Sequence, residues 1–292
     1  MVDSAGIVAG HLAAEEQRTA PARDARTPIG PIAPAPAVVE ARGLGIVFDA
    51  QGRQTVALEG VDLTIRQGDF VSLIGPSGCG KTTFLRAVAD LVRPSSGILT
   101  VNGASPEQAR LDRAYGYVFQ APALYPWRNV ARNVMLPLEI MGLAKADRRA
   151  RVGHYLRLVG LDQFARKFPW QLSGGMQQRV SIARALSFEP GLLLMDEPFG
   201  ALDEITRDGL NLHLHQLWRR TGMTVVFVTH SIPEAVFLST RIVVMSARPG
   251  RIVDVIESEV SEERDLGFRE TPRFLDVAQR VREALRAGHS YD

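Results

Sequence analysis

The sequence predicts an α/β fold built on a mainly parallel β-sheet whose two faces are covered by helices. Three short apolar runs, at residues 70–74, 192–195 and 224–228, have the length and composition of fully buried strands. Stretches with helical spacing separate these runs, and strands that alternate with helices give a parallel sheet. The chain has 292 residues, 46% of them hydrophobic and 23% charged, which is enough for one large domain with its own core.

The remaining elements follow from local patterns. The expected elements are strands over residues 38–48 and 56–65, a helix from 81 to about 90, and an amphipathic helix from 272 onward. Residues from about 129 to 186 carry helical patterns with little strand signal, so we expect a helical subdomain, at about 121–187, inserted between sheet strands.

The two ends of the chain differ from the middle. Residues 1–36 are rich in Ala and Pro with scattered charge, and such a segment has too little apolar bulk to offset its ordering entropy. We therefore expect a disordered tail over 1–36, a folded domain over 37–257, and a C-terminal extension over 258–292 that holds the amphipathic helix.

Composition limits the classes of function. A net charge of +2 argues against nucleic acid as a partner. The single cysteine, Cys79, allows no intramolecular disulfide, which fits a reducing compartment. No apolar run reaches the roughly 20 residues that cross a bilayer, and the N-terminus lacks a signal-peptide pattern. A membrane role would therefore require a partner subunit.

A phosphate-binding loop follows the first buried strand. Residues 75–82 read GPSGCGKT and match the pattern G-x-x-x-x-G-K-[ST], between a strand and a helix. In such a loop the backbone N–H groups and the helix N-terminus face phosphate oxygens. Lys81 would place its charge on the outer phosphates, and the Thr82 hydroxyl would bind Mg²⁺. The expected nucleotide-binding residues here are Gly75, Pro76, Ser77, Gly78, Cys79, Gly80, Lys81, Thr82 and Thr83.

Two adjacent acids end the second buried strand. Because ligands bind at the carboxyl ends of parallel strands, Asp196 and Glu197 should lie beside the phosphate loop. Asp196 suits Mg²⁺ binding, and Glu197 suits proton abstraction from the attacking water. Hydrolysis of a γ-phosphate needs mainly positioning and charge neutralisation, which lysine and Mg²⁺ supply.

A second anion site is expected where Ser173, Gly174 and Gly175 open a predicted helix, within the segment LSGGMQQR at residues 172–179. This segment resembles the signature LSGGQ of the ATP-binding-cassette (ABC) family, with Met176 at the fifth position. The resemblance covers about residues 38–257. It implies a P-loop NTPase cassette with a RecA-like core, an antiparallel β subdomain and an inserted α-helical subdomain.

The resemblance also implies roles for further residues. Gln120 matches the glutamine that senses Mg²⁺ and couples to the membrane partner, and Asp203 matches the D-loop. His230 matches the switch histidine that contacts the γ-phosphate. Phe48 matches the aromatic residue that stacks on adenine, with a core position as the alternative. The catalytic residues would then be Glu197, His230, Lys81 and Gln120, and the metal ligands Thr82, Gln120 and Asp196.

The family resemblance implies a mechanism that needs two copies of the chain. The copies face each other head to tail, and each ATP lies between the phosphate loop of one copy and the Ser173–Gly175 segment of the other. ATP closes the pair and hydrolysis reopens it. The cleft around Gln120 would pass this motion to a transmembrane permease.

Two segments resemble the nitrate, sulfonate and taurine importer branch: residues 121–127, APALYPW, and residues 246–252, SARPGRI. This implies a peripheral subunit on the cytoplasmic face of the inner membrane. It would energise import of a small, often anionic solute that an extracytoplasmic binding protein delivers. The sequence does not identify the solute.

Three alternatives stand beside the importer: an exporter ATPase, a soluble cassette that acts on DNA or ribosomes, and a single-chain P-loop kinase. An exporter ATPase shares the same motifs. A soluble cassette acting on DNA would carry long coiled coils between the loop and the acid pair, but only 115 residues separate Lys81 from Asp196. Soluble translation factors of the family carry two cassettes, and this chain has one. A single-chain P-loop kinase would have no use for Ser173 and its glycines.

Overall fold

Nine strands and eight α-helices form the part of the chain that the structure describes. The computed structural model describes residues 35–50, 52–200, 202–258 and 264–288. The strands are β1 (Ala37–Ala50), β2 (Arg53–Arg66), β3 (Phe70–Ile74), β4 (Ser96–Val101), β5 (Tyr115–Val118), β6 (Leu192–Asp196), β7 (Thr224–Val228), β8 (Arg241–Met245) and β9 (Ile252–Glu257). The helices are α1 (Lys81–Val88), α2 (Pro106–Leu111), α3 (Val130–Ile140), α4 (Lys145–Leu158), α5 (Gly174–Leu186), α6 (Glu204–Thr221), α7 (Ile232–Leu238) and α8 (Pro272–Ala287).

The predicted tail at 1–36 lies outside the described residues, except for its last two positions, 35 and 36. Ala201 also lies outside the described residues. Of the expected extension, the structure describes residue 258 and residues 264–288. None of the helices in the described ranges is both long and apolar enough to span a membrane.

The larger sheet has six strands in the order β5-β6-β7-β3-β8-β9. The first five strands run parallel, and β9 pairs antiparallel with β8. Every residue of β3, β6 and β7 is buried, which confirms the three apolar runs as buried strands. Since these strands are adjacent and parallel, the loops that follow Ile74, Asp196 and Val228 meet at one edge of the sheet.

A smaller antiparallel sheet has the order β2-β1-β4. Its inner face shares an apolar core with α1, in which Leu44, Leu58 and Phe84 are almost fully buried. Phe48 pairs with Thr55 near the end of this sheet, and 42% of its surface is exposed. A core position for Phe48 is therefore wrong.

Helices α3, α4 and α5 form the expected helical region between β5 and β6. Their apolar faces join the core beneath the large sheet, as Val134, Leu156 and Val180 show. The C-terminal helix α8 buries Phe274, Val277 and Val281 against the same core, which confirms the amphipathic helix read from the sequence. The helix expected over 81–90 ends slightly earlier, at Val88.

Candidate functional site

The phosphate loop joins β3 to α1 at the carboxyl edge of the sheet. Gly78 and Gly80 have φ angles of +75° and +96°, which side chains of L-residues rarely adopt. A Cβ at Gly80 would also lie 2.8 Å from the Ala57 carbonyl oxygen. Gly80 is the N-cap of α1 and offers no capping side chain, so the first N–H groups of α1 are left to bind an anion.

Lys81 is held inside this loop. Its Nζ donates to the carbonyl oxygens of Gly75 and Pro76, both at 2.8 Å, and lies 3.5 Å from the Cys79 Sγ. Only 5% of its surface is exposed, and none of the ion pairs found in the described ranges involves it. Two carbonyls and a thiol are neutral partners, so the charge of this buried ammonium group is available to an incoming phosphate.

Asp196 and Thr82 form the part of the site that suits a metal ion. The Thr82 hydroxyl donates to Asp196 Oδ1 at 2.8 Å, and Asp196 is 3% exposed. Burial raises the pKa of the Asp196 carboxyl. The described residues contain no group of three or more His, Cys, Asp or Glu side chains that could hold a metal ion by themselves. A hydroxyl and a single carboxylate fit Mg²⁺, which binds protein through one or two carboxylates and takes further oxygens from phosphates.

Glu197 lies where three loops meet. Gln120 Nε2 donates to Glu197 Oε2 at 3.2 Å, and His230 Nδ1 lies 3.5 Å from the same oxygen. The Glu197 N–H donates to the Val228 carbonyl at 3.0 Å. The backbone of Glu197 has φ +45°, a strained value for a side chain of this size. The fold thus holds one carboxylate between an amide and an imidazole beside the phosphate loop.

The second predicted anion surface lies apart from this cluster. Ser173 caps α5, its Oγ accepting from the Met176 N–H at 3.3 Å. Asp203 caps α6 by accepting from the Thr206 N–H at 2.9 Å, and this backbone hydrogen bond lowers the pKa of Asp203. None of the hydrogen bonds found in the described ranges joins Ser173 to the phosphate loop. Within the described residues, the two surfaces are therefore not joined by a direct hydrogen bond.

One contact with the loop was not foreseen from the sequence. Arg248 extends over the loop, where its Nε donates to the Gly78 carbonyl at 3.4 Å. The segment that carries it is tied down at Gly250, whose N–H donates to the Ala57 carbonyl at 3.0 Å. In the sequence, residues 246–252 indicated only a resemblance to a family branch. Their contact with residues 78–79 arises from the placement of β8 and β9, which the sequence alone does not give.

Known proteins resemble this chain over most of its length. Residues 58–200 match the family model described as ABC transporter. A taurine import ATP-binding protein from Rhizobium johnstonii is 45% identical over 80% of this chain and 90% of its own length. One from Pseudomonas aeruginosa is 41% identical over 84% of this chain and 93% of its own. This chain belongs to the ABC transporter family.

As an ABC cassette, the chain is an ATPase with an ATP-binding α/β fold. A solved ATP-binding cassette, a dimer in a post-hydrolysis state bound to ADP and Pi, superposes with a TM-score of 0.70 at 34% identity. It is matched over 76% of this chain and 99% of its own length. The expected fold class and the ATPase activity are thereby confirmed. The dimeric relatives indicate that this cassette also works as a dimer, together with a membrane permease.

Proposed function

We propose that this cassette hydrolyses ATP to energise import of a small, often anionic solute through a separate membrane permease. The nucleotide-binding domain would span residues 37–257. The observation that carries the ATPase part is the convergence of Lys81, Thr82, Asp196 and Glu197 at one edge of the sheet. Import is supported by the relatives that are named taurine import ATP-binding proteins. Taurine is a small molecule that carries a negatively charged sulfonate group.

The proposed chemistry assigns one task to each group. Phe48 stacks on adenine from its exposed position on β1, and the loop N–H groups with Lys81 bind the phosphates. Glu197 takes a proton from the attacking water, while Gln120 and His230 hold its carboxylate through the contacts at 3.2 and 3.5 Å. Thr82 and Asp196, with the Gln120 amide oxygen, would hold Mg²⁺. When bound, this ion would offset the negative charge of the phosphates.

The second anion surface is proposed to serve the ATP of a second copy. Ser173 and Asp203 cap α5 and α6, and none of their hydrogen bonds in the described ranges reaches the phosphate loop of their own chain. A two-fold axis would bring each surface against the loop of the partner copy, so that two identical sites form at one closed interface. The N-terminus of α5 would then add its dipole to the γ-phosphate of the partner's nucleotide.

A groove beside Gln120 is the proposed contact for the permease. Tyr117, Phe119, Tyr125, Pro137 and Ile140 line a cavity of about 330 Å³. Ile140 is 63% exposed, and exposed apolar groups of this kind mark sites of protein contact. Phe119 in the groove directly precedes Gln120, whose side chain contacts Glu197. A movement of the groove would therefore pass to the Glu197 carboxylate through the Gln120 side chain. The cassette would work at the cytoplasmic face of the inner membrane, and an extracytoplasmic binding protein would supply the solute.

The decisive experiment is a pull-down from detergent-solubilised native membranes. Glu197→Gln, loaded with ATP, serves as bait because it should keep the closed dimer, and Lys81→Ala serves as the matched control that should not bind ATP. We expect a multi-spanning permease at a one-to-one ratio with the Glu197→Gln bait. A binding protein encoded beside that permease would then be titrated with taurine. Recovery of ribosomal proteins or DNA, with no membrane protein, would refute the proposal.

A further inference from the structure

Two helices begin at two separate loops of the site, and one ion pair joins their first turns. Helix α6 starts directly after Asp203, and α7 starts two residues after His230. The distance from Arg207 Nε on α6 to Glu234 Oε1 on α7 is 3.4 Å. Glu234 is 5% exposed and the Arg207 side chain 32%, so the pair is partly buried and is screened less than a fully exposed pair.

The glutamate holds the backbone on both sides of His230. The Thr229 hydroxyl donates to Glu234 Oε2 at 2.5 Å, and the same hydroxyl accepts from the Ser231 N–H at 3.0 Å. The residue before the histidine and the residue after it are therefore fixed through one carboxylate. His230 itself is two-thirds exposed and points toward Glu197.

The arginine reaches the other loop. Its Nη2 donates to the Leu202 carbonyl at 2.8 Å. Leu202 in turn packs on the second anion surface, since a Cβ at Gly175 would lie 2.7 Å from Leu202 Cδ2. A continuous series of contacts thus runs from Gly175 through Leu202, Arg207 and Glu234 to Thr229, beside His230.

We infer that Arg207 and Glu234 are positioning residues for His230. Through them, the position of His230 depends on the position of the loop at Leu202 and Asp203. The surface that meets the second copy is thereby linked, within one chain, to the histidine beside that chain's own ATP. This inference rests on the proposed role of His230. Displacement of a reacting group by about 1 Å can slow a reaction about 100-fold, so even a small shift of this loop would be measurable.

A second ion pair on α6 provides a matched control. Asp208 and Arg269 meet at 2.7 Å, and both side chains are 22% exposed. This pair ties α6 to the chain beyond β9, and the Arg269 charge also acts on Glu234. None of the hydrogen bonds found in the described ranges joins Asp208 or Arg269 to Leu202 or Thr229, so Asp208→Asn leaves the Glu234 contacts in place. Loss of either pair should loosen the packing of α6, whereas only the Arg207–Glu234 pair should alter turnover.

The test compares purified full-length variants by steady-state ATPase kinetics, ATP titration and thermal unfolding. For Glu234→Gln we expect kcat to fall about 10- to 100-fold while KM and the Kd for ATP stay within about twofold. Thr229→Val, which replaces the hydroxyl with a methyl group of similar size, should act in the same direction and gives a second variant if Glu234→Gln fails to fold. The double variant Arg207→Ala/Glu234→Gln should be no slower than the slower single variant, because the two residues act as one unit.

The controls separate the possible failures. Asp208→Asn should lower the Tm and leave kcat within about twofold of the wild type. If Asp208→Asn lowers kcat as much as Glu234→Gln does, or if both Glu234→Gln and Thr229→Val turn over at the wild-type rate, the inference is overturned. His230→Ala serves as the reference. Wild-type turnover by His230→Ala would refute the proposed role of His230 itself, independently of Arg207 and Glu234.

Discussion

Gly250→Ala should weaken ATP binding, although residue 250 is not one of the proposed nucleotide contacts. The glycine lies against the phosphate loop, and an added Cβ would sit 2.0 Å from the Cys79 carbonyl oxygen and 3.1 Å from that of Ala57. Ordinary contact begins near 3.4 Å, so backbone must move by more than about 1 Å. Overpacking of this kind costs about 1–3 kcal/mol. At about 2–4 °C per kcal/mol for a domain of this size, the Tm should fall by about 2–12 °C.

The moved group is the peptide between Cys79 and Gly80, inside the loop that should bind the phosphates. Because its N–H groups would no longer point to one centre, we expect the Kd for ATP to rise about 10-fold, measured by calorimetric titration beside a thermal melt. Gly209→Ala in α6 is the matched control, since nothing lies within 4 Å of its added Cβ. It should gain up to about 1 kcal/mol from helix propensity and bind ATP normally. Unchanged Kd and Tm in Gly250→Ala would refute this reasoning.

Three further predictions concern single side chains. Lys81→Ala should abolish detectable ATP binding in a titration, because it removes the buried ammonium group from the loop; wild-type affinity would contradict its role. Glu197→Gln should bind ATP, lose turnover and elute as a nucleotide-bound dimer in gel filtration; turnover at the wild-type rate would exclude Glu197 as the base. Burial lowers the pKa of His215 from 6.5 to about 4. The unfolded chain therefore takes up this proton first as pH falls, and the free energy of unfolding should drop by about 2 kcal/mol from this group between pH 7.5 and 5. Urea melts of His215→Leu should lack that drop, and an equal drop would contradict the assignment.

The sequence was sufficient to predict the central sheet, because β3, β6 and β7 are short, mostly apolar runs of the length that a sheet covered on both faces buries. The phosphate loop and the acid pair were predictable for the same reason, since each follows one of these strands directly. The short strand β5 and the antiparallel strand β9 were not predicted. Tyr115–Val118 has only four residues, and Ile252–Glu257 is a six-residue strand at the edge of the sheet that is interrupted by Asp254 and lacks strict alternation of apolar and polar residues.

The contacts between elements could not be predicted from local pattern. The hydrogen bond from Arg248 to Gly78 joins residues 170 positions apart, and nothing in the residues around either one indicates it. The Arg207–Glu234 pair likewise depends on how α6 and α7 cross. Motifs predicted which residues bear the chemistry, whereas the residues that hold them in place became visible only once the helices were packed.

In the proposed dimer each ATP is shared between two copies, and mixing two inactive variants shows whether this is so. Lys81→Ala inactivates the phosphate loop, and Ser173→Asp keeps a good N-cap for α5 while its carboxylate repels the γ-phosphate. Each variant alone should be inactive. In an equal mixture half of the dimers are mixed, and each mixed dimer has one site in which both contributing surfaces are intact. We predict ATPase activity at about a quarter of the wild-type value. A mixture no more active than the average of the two variants alone would contradict the shared site.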